Sequence, residues 1–421
     1  MKKKIMYLVA VALVLTACSS EEPITPQNQV NDAMGANPYR VSLTDALKNA
    51  DALLGELSEG EVTRSAERKV ESVEYYSRPG TRSLGGDTLL YLVNYADDAG
   101  FALLSADSRL RPIYAISDEG SMSFSDTTYN KGLALFARGV EAEITSLPNL
   151  PYIPVDSLIN QPIFPDFGGT YIKSKVAPLL TASVRGWGQG SPYNKLCIID
   201  GNQYAYVGCA AVAVGQIMSY YNYPNPFGDI YFNWTLMKNG MDYDDVALLL
   251  RLLGDEDNLD MEYHLYGGDE GSGASPKRVR PTFINMGYND PGNLLNFSSA
   301  YVRSYLDKTL TNMDGGGPVF VCGYGTNSNG QRIGHAWVID GYIQYESKGT
   351  LVPGGYLLHD ILFHCVWGWG GDSNGYFYWD RANRFGGDPI EKADDDYSYN
   401  FQNPLFDDEV KILGGFVPNN Q

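Results

Sequence analysis

The sequence predicts an α+β protein, because stretches with helical spacing alternate with apolar strands and glycine-containing turns. Residues 42–57 place apolar side chains at helical spacing behind Ser42, a residue type that caps helices. Residues 88–95 and 101–106 are apolar runs separated by the turn sequence of residues 97–100, which predicts a β-hairpin. Aromatic residues make up 13% of the chain, and its 31 tyrosines and 46 glycines suit packed domains rich in strands and turns.

The remaining elements divide the chain into two domains. A strand at residues 112–117 and a helical pattern over 130–147 complete a small α+β domain, for which we predict the bounds 40–148. Four prolines lie in the next stretch, so residues 149–174 are predicted to be a linker that contains a maturation site, with cleavage near Lys173–Val176. Residues 175–421 form the second domain.

The start of the chain resembles a bacterial lipoprotein signal. Three lysines precede a short apolar stretch in residues 1–17, and this stretch is too short to span a bilayer. Leu15-Thr16-Ala17-Cys18 resembles the lipobox, so we expect Cys18 to carry a lipid and residues 18–39 to form a flexible tether. The prediction is an exported lipoprotein at the outer membrane or cell surface. Because the anchor precedes the linker, cleavage there would release the second domain.

Charge and cysteine spacing exclude several classes of function. The net charge of −19 argues against a nucleic-acid partner. Without Cys18, the cysteines show no Cys-x-x-Cys spacing, so we predict no structural zinc site. They allow either two disulfides or one reactive thiol with three buried ones: Cys197, Cys209, Cys322 and Cys365.

Cys209 opens a run of small apolar residues, 209–218, that reads as a buried helix with a thiol in its first turn. The unpaired N–H groups and the helix dipole at that end favour a thiolate, which is the nucleophilic form. The alternative is a small residue that fills space in a buried helix. The surrounding motifs decide between the two.

A thiolate enzyme needs a base and donors for an oxyanion. His335 follows Gly334 at the start of a β-rich stretch, where the glycine leaves the imidazole open to a cleft. The other three histidines lack this context, and we interpret them as structural: His264, His359 and His364. Gln189 lies between two glycines and offers an amide donor, while Trp367 begins a Trp-Gly-Trp-Gly-Gly motif that could cover the imidazole.

These motifs occur in one order along the chain: Gly-Gln-Gly-Ser-Pro-Tyr-Asn, Gly-Cys-Ala-Ala-Val-Ala-Val-Gly-Gln-Ile-Met, Gly-His-Ala-Trp-Val-Ile-Asp-Gly and Trp-Gly-Trp-Gly-Gly. Together they resemble the streptopain family of secreted, papain-like cysteine peptidases over about residues 175–415. The first domain is similar to the inhibitory propeptide of that family. The resemblance implies a two-lobed papain-like peptidase that acts on proteins and peptides, preceded by a propeptide that acts as an intramolecular inhibitor.

The resemblance also implies roles for individual residues. Cys209 is the nucleophile, His335 the general base and acid, Gln189 the oxyanion donor and Trp367 the indole that packs over the base. The loop over residues 267–275 is similar to the family's loop beside the substrate cleft, and it supplies the expected substrate-binding residues Gly273, Ala274 and Ser275. The family's preference for an apolar side chain two residues before the scissile bond is an expectation here.

The chain departs from the family pattern at Val366, where the family has an asparagine that orients the histidine. A backbone carbonyl, Asp340 or Asp372 would have to substitute. We therefore predict a weaker Cys–His dyad, with an impaired peptidase that acts as a surface binding protein as the alternative. A transferase that uses the same thioester is a third interpretation. A second departure is the longer stretch 342–363, for which we predict an extra hairpin.

Overall fold

The computed structural model describes residues 40–58, 68–77, 88–107, 110–124, 131–145, 170–199, 201–268, 271–326, 332–347, 358–379 and 410–419. We call residues 40–145 the N-terminal region and residues 170–419 the C-terminal region. The predicted signal, Cys18 and most of the predicted linker lie outside the described residues. Within the described ranges, no helix is long and apolar enough to cross a bilayer.

The N-terminal region contains two helices and four antiparallel strands. In chain order they are α1 (Leu43–Ser58), β1 (Val70–Ser77), β2 (Thr88–Tyr95), β3 (Phe101–Ser105), β4 (Ile113–Ser117) and α2 (Lys131–Thr145). The hydroxyl of Ser42 accepts a hydrogen bond from the Asp45 N–H, as expected of a helix cap. The apolar runs of β2, β3 and β4 are buried along their whole length, because helices or other strands cover both faces.

The C-terminal region contains six helices and nine strands within the described residues. In chain order they are β5 (Thr170–Val176), α3 (Ala182–Arg185), β6 (Ile198–Ile199), β7 (Gln203–Tyr204), α4 (Cys209–Tyr221), α5 (Trp234–Lys238), α6 (Tyr243–Leu253), α7 (Val279–Asn285), β8 (Leu295–Asn296), α8 (Ser299–Leu310), β9 (Val319–Thr326), β10 (Arg332–Ser347), β11 (Leu358–Val366), β12 (Gly375–Tyr378) and β13 (Lys411–Leu413).

One antiparallel sheet runs through both regions. Its order is β1-β2-β3-β4-β12-β11-β10-β9-β13-β8, so β4 of the N-terminal region pairs with β12 of the C-terminal region. Helices α3 to α6 contact one another beside this sheet, and α4 packs on β9 and β10. The C-terminal region therefore has a helical half and a sheet half. The predicted α+β class is confirmed.

The hydrophobic core is shared between the two regions. One cluster joins Leu103 and Phe136 of the N-terminal region to Trp337 and Phe377 of the C-terminal region. A second cluster packs α1 and β2 to β4 against the hairpin of β10 and β11. Because side chains from both regions fill the same buried space, separating them would expose a large apolar surface.

The structure differs from the prediction at the end of the linker. Residues 170–176 form β5, which pairs with β10 from Ser347↔Thr170 to Tyr342↔Val176. A strand that is hydrogen-bonded in a sheet is a poor substrate for a protease, so Lys173–Val176 is not an open cleavage site in this state. The predicted extra hairpin is confirmed, because β10 and β11 pair from Val338↔Val366 to Ser347↔Leu358.

Candidate active site

Cys209 is the first residue of α4, and Gly208 before it has a φ of 94°. A methyl group built on Gly208 would lie 2.6 Å from the Met261 sulfur and 3.2 Å from the Ser272 carbonyl oxygen. Both the positive φ and the close approach require glycine here. The small residues behind Cys209 let α4 sink into the core, where residues 210–219 are all buried.

Backbone N–H groups surround the Cys209 thiol. It accepts hydrogen bonds from the N–H of Ala336, the residue after His335, and from those of Ala210 and Cys209 itself. Burial nevertheless raises the pKa of the thiol above its ordinary value, and the N–H donors and the Lys131 ammonium only partly oppose this. The expectation that the start of the helix would favour a thiolate is therefore wrong for this state, because the cost of desolvation outweighs the donors.

His335 is buried on β10, and its Nε2 lies 2.9 Å from the backbone oxygen of Trp367. A carbonyl oxygen only accepts, so Nε2 carries the proton and Nδ1 is left as the basic atom of the neutral ring. Burial lowers the pKa of His335 to about 4; the Trp367 carbonyl raises it and the Lys131 ammonium lowers it further. At neutral pH the ring is uncharged.

Three tryptophans surround the imidazole of His335. The rings of Trp337 and Trp369 are nearly parallel to it, at 11° and 13° and with centroids 6.2 and 6.3 Å away. Trp367, the predicted cover, is tilted by 36° at 6.3 Å, and its indole N–H donates to the Ser373 carbonyl. The indole of Trp367 thus lies beside the His335 ring, and the backbone oxygen of Trp367 makes the hydrogen bond to that ring. The indole of Trp369 is more nearly parallel to the His335 ring than the indole of Trp367 is.

Gln189 is buried, and its side-chain Nε2 has no hydrogen-bond partner among the described residues. Its backbone oxygen accepts from the N–H of Val207, which holds the segment two residues before Cys209. An unpaired buried donor is costly unless something else, such as an oxyanion, uses it.

The predicted substrate loop runs beside the nucleophile. Gly273 pairs with Glu262 in an isolated bridge, while the Ser272 carbonyl approaches Gly208 as described above. Ala274 packs against the core of the helical half. Gly273, Ala274 and Ser275 thus follow the residue whose carbonyl approaches Gly208, and their role in peptide binding stays a prediction.

Val366 cannot orient the imidazole of His335, because a valine side chain has no hydrogen-bonding group. Its side chain is fully buried in the apolar core of the helical half. Of the three substitutes that the sequence offered for the missing asparagine, the structure selects a backbone carbonyl, that of Trp367.

The two carboxylates considered as substitutes are engaged elsewhere. Asp340 Oδ1 lies 2.6 Å from Nδ1 of His364, and Asp372 Oδ1 accepts from the Ser373 hydroxyl at 3.2 Å. Neither makes a hydrogen bond to His335 within the described residues. The suggestion that Asp340 or Asp372 could orient the base is therefore wrong.

The start of α2 covers the site. A methyl group built on Gly132 would lie 2.6 Å from Cδ2 of the His335 ring, and it would also clash with the indole of Trp367. A methyl group built on Gly271 in the predicted substrate loop would lie 3.3 Å from Lys131 Nζ. The ammonium of Lys131 also acts on both Cys209 and His335. Residues of the N-terminal region thus occupy the space in front of the dyad.

His364, interpreted from the sequence as structural, holds a second charged cluster. Its Nδ1 faces Asp340 at 2.6 Å and its Nε2 faces Asp118 of the N-terminal region at 3.3 Å. Burial opposes the charge, but the two carboxylates raise the pKa of His364 to about 9. Sequence reasoning missed this cluster, as it missed Lys131 and Gly132, because the partners are distant in the chain and no spacing rule links them.

The four cysteines of the second domain are free thiols. Cys197, Cys322 and Cys365 are buried, whereas Cys209 is only partly buried. Of the two alternatives left open by the sequence, the structure matches one partly exposed thiol and three buried ones.

Comparisons with known proteins match both regions. Residues 187–377 match the model of the peptidase C10 family, and residues 39–144 match the model of the Spi protease inhibitor. The peptidase match includes Gln189, Cys209, His335 and Trp367. The inhibitor match includes α2.

Two curated relatives cover most of this chain. Streptopain of Streptococcus pyogenes is 28% identical over 349 residues, which cover 72% of this chain and 77% of streptopain. Thiol protease/hemagglutinin PrtT of Porphyromonas gingivalis is 26% identical over 329 residues, which cover 70% of this chain and 34% of PrtT. The chain thus spans about a third of the length of PrtT.

Two solved structures from Prevotella intermedia are similar. A prointerpain A fragment gives a TM-score of 0.48 at 20% identity, covering 82% of this chain and 98% of that chain. Active interpain A cysteine protease gives a TM-score of 0.36 at 25% identity, covering 49% of this chain and 87% of that chain.

Proposed function

Because the chain belongs to the streptopain family, with a peptidase C10 domain behind an Spi-type inhibitor domain, we propose that it is the zymogen of a papain-like cysteine endopeptidase. Its substrates are proteins and peptides, and its N-terminal region is the intramolecular inhibitor. No metal or cofactor takes part in the chemistry.

One observation carries this proposal: the Cys209 sulfur accepts a hydrogen bond from the N–H of Ala336, next to His335, while the buried side-chain Nε2 of Gln189 has no partner in the part of the chain that the structure describes. A nucleophile, a base with a free Nδ1 and an unused donor are the groups that acyl transfer requires. The Trp367 carbonyl fixes the tautomer of the base, which is the task of the asparagine in the family pattern.

The mechanism follows from these positions once the N-terminal region has left. His335 Nδ1 takes the proton of Cys209, and the thiolate attacks a peptide carbonyl. The Gln189 amide and the Cys209 N–H stabilise the oxyanion, and the imidazolium gives its proton to the leaving amine. Water, activated by the same ring, then hydrolyses the thioester.

The state described by the structure is inhibited for two reasons. The first turn of α2 fills the space in front of His335, so a substrate cannot enter. Burial and Lys131 also hold the imidazole uncharged, while burial holds the thiol protonated. Removal of the N-terminal region would reverse both conditions.

We also propose that Cys18 is lipidated, which would place the zymogen at the outer membrane or cell surface. Cleavage between α2 and β5, followed by dissociation of the N-terminal region, would then release the active C-terminal region. Membrane fractionation before and after processing tests this. Processed, active protein that stays in the membrane fraction would contradict the release model.

The second candidate is a surface binding protein on an impaired peptidase scaffold, and Val366 favours it. Labelling with an epoxide inhibitor of thiol peptidases separates the two functions. The processed wild type should be labelled at Cys209, and His335→Gln should abolish labelling. A processed wild type that resists the label and cleaves no peptide supports the scaffold instead. Amine incorporation that exceeds hydrolysis would identify a transferase.

The inhibitory role of α2 has its own test with a matched control. Gly132→Ala adds a methyl group against His335 and Trp367, so it should weaken docking and increase self-processing of the full chain. Gly55→Ala adds the same group to α1, where nothing lies within 4 Å. Equal processing rates in the two variants would show that α2 does not block the site.

A further inference from the structure

The joint between β4 and β12 adjoins the tryptophans around His335, because Phe377 of β12 packs against Trp367 with ring centroids 5.0 Å apart. Its ladder pairs Ala115↔Phe377, Ile116↔Tyr376 and Ser117↔Gly375, and the N–H of Asp118 continues it by donating to the Asn374 carbonyl at 2.8 Å. β12 is thus the edge strand of the C-terminal region, and β4 satisfies its backbone groups. An uncovered edge of this kind readily accepts another strand.

A buried ion pair marks one end of this joint. Arg111, two residues before β4, lies 2.9 Å from Asp360 on β11, and the side chains are 3% and 0% exposed. The guanidinium also lies 3.2 Å from the centroid of the Tyr378 ring on β12. Asp360 belongs to the extra hairpin, as does Tyr345, whose hydroxyl donates to Asp360 at 3.3 Å.

A second pair of opposite polarity marks the other end. Asp118, directly after β4, lies 3.3 Å from Nε2 of His364, which is fully buried, while Asp118 is 34% exposed. Nδ1 of the same ring is held by Asp340. The N-terminal region therefore contributes a cation at one end of β4 and an anion at the other.

We propose that the β12 edge, with Asp360 and His364 behind it, is a second recognition surface of the peptidase, whose partner is the β4 segment of its inhibitor domain. The surface recognises the side chains of Arg111 and Asp118, which are seven residues apart with an apolar strand between them. Asp360 and His364 are four residues apart on one strand, so they share a face of the sheet. The proposal rests on the inhibitory role of the N-terminal region, and it does not depend on catalysis.

Charge order gives this surface its selectivity. A strand that binds with neutral residues at these positions removes the guanidinium partner of Asp360 and the Asp118 partner of His364, while the Tyr345 hydroxyl and Asp340 remain. The loss of a charged partner from a buried charged group is unfavourable. A shift of one residue would turn every side chain of β4 to the wrong face. The two pairs therefore select both the strand and its register.

The test uses the full chain with Cys209→Ala, and with a site for a specific protease inserted within residues 149–169. After cleavage, the N-terminal fragment should stay bound in size-exclusion chromatography, and its dissociation rate is then measured. Asp118→Asn should increase that rate about tenfold, because it removes a charged hydrogen-bond partner. Asp45→Asn removes a carboxylate whose contacts with Ser42 and Lys48 lie within α1 and its cap, so the rate should not change.

Arg111→Met tests the other pair and should also speed dissociation. Combined with Asp360→Leu it should return the rate towards that of the parent, because no charge is then left unpaired. Rates equal to the parent for both Asp118→Asn and Arg111→Met would overturn the proposal. No step of this test measures peptidase activity. The result can therefore be interpreted even if the proposed peptidase function is wrong.

Discussion

Two buried imidazoles on neighbouring strands behave in opposite ways. His335 on β10 has a pKa lowered to about 4, whereas His364 on β11 has a pKa raised to about 9. Burial lowers the pKa in both cases. The difference comes from the partners: His335 faces one carbonyl oxygen and the ammonium of Lys131, whereas His364 faces two carboxylates.

The N-terminal region acts on both histidines, and it has opposite effects on their charge. The N-terminal region contributes Lys131 and Gly132 near His335, and it contributes Asp118 to His364. The first contact keeps a catalytic base uncharged and covered. The second uses a charged ring to hold the two regions together. Sequence context alone had separated these histidines only into a base and a structural residue.

Replacement of the base should have the largest effect. His335→Gln keeps a donor for the Trp367 carbonyl but removes the base, so kcat/KM of the processed enzyme should fall about 10⁴-fold. The melting temperature should change little. The N-terminal region is removed with an added specific protease, so that failed self-processing does not confuse the assay. Retention of more than a tenth of the activity would exclude His335 as the base.

Replacement of the charged ring should affect stability instead. His364→Gln removes the cation that lies between Asp340 and Asp118, and Arg185 and Arg68 remain as the cations that act on Asp118. The free energy of unfolding of the Cys209→Ala chain should therefore fall by about 3–5 kcal/mol. Urea denaturation measures this change. His264→Gln, at a half-buried position, is the control and should cost less than about 1 kcal/mol. Equal losses of unfolding free energy in His364→Gln and His264→Gln would show that the charged cluster around His364 does not stabilise the fold.

The pH dependence of stability should show the same cluster. The folded pKa of His364 lies near 9, above its ordinary 6.5, so its contribution is complete below about pH 6.5 and is lost as the pH rises through 9. The loss should be about 3 kcal/mol at most in urea denaturation. Asp118 has a lowered pKa, so its contribution is lost only in acid. His364→Gln should remove the alkaline loss; an unchanged profile would contradict the assignment.

A change at Val366 should have the smallest effect. The partner of His335 is the Trp367 carbonyl, so Val366→Asn should alter kcat/KM by less than about threefold. It buries an amide in an apolar core, so the free energy of unfolding should fall by about 1–3 kcal/mol. Val366→Ala controls for lost packing. A tenfold gain in turnover with asparagine would mean that the side chain reaches the imidazole after all.

The local elements and the order of the site motifs could be predicted from the amino-acid sequence. Strand β2 has the predicted bounds at both ends, and helices α2 and α4 begin within one residue of their predicted starts. These features depend on side chains a few residues apart, because helical and strand periodicities are local. Gln189, Cys209, His335 and Trp367 were predicted instead from four short motifs whose order along the chain resembles that of the streptopain family.

The surroundings of those residues could not be predicted, because they depend on contacts between distant parts of the chain. The contact of Asp118 with His364 joins positions 246 residues apart, and Gly132 meets His335 across the boundary between the two regions. No local spacing encodes such pairs, because they depend on which strands become neighbours when the sheet closes. The pKa values follow from these neighbours and from burial. The residues proposed for catalysis thus lie in short local motifs, whereas the contacts that cover His335 depend on the fold.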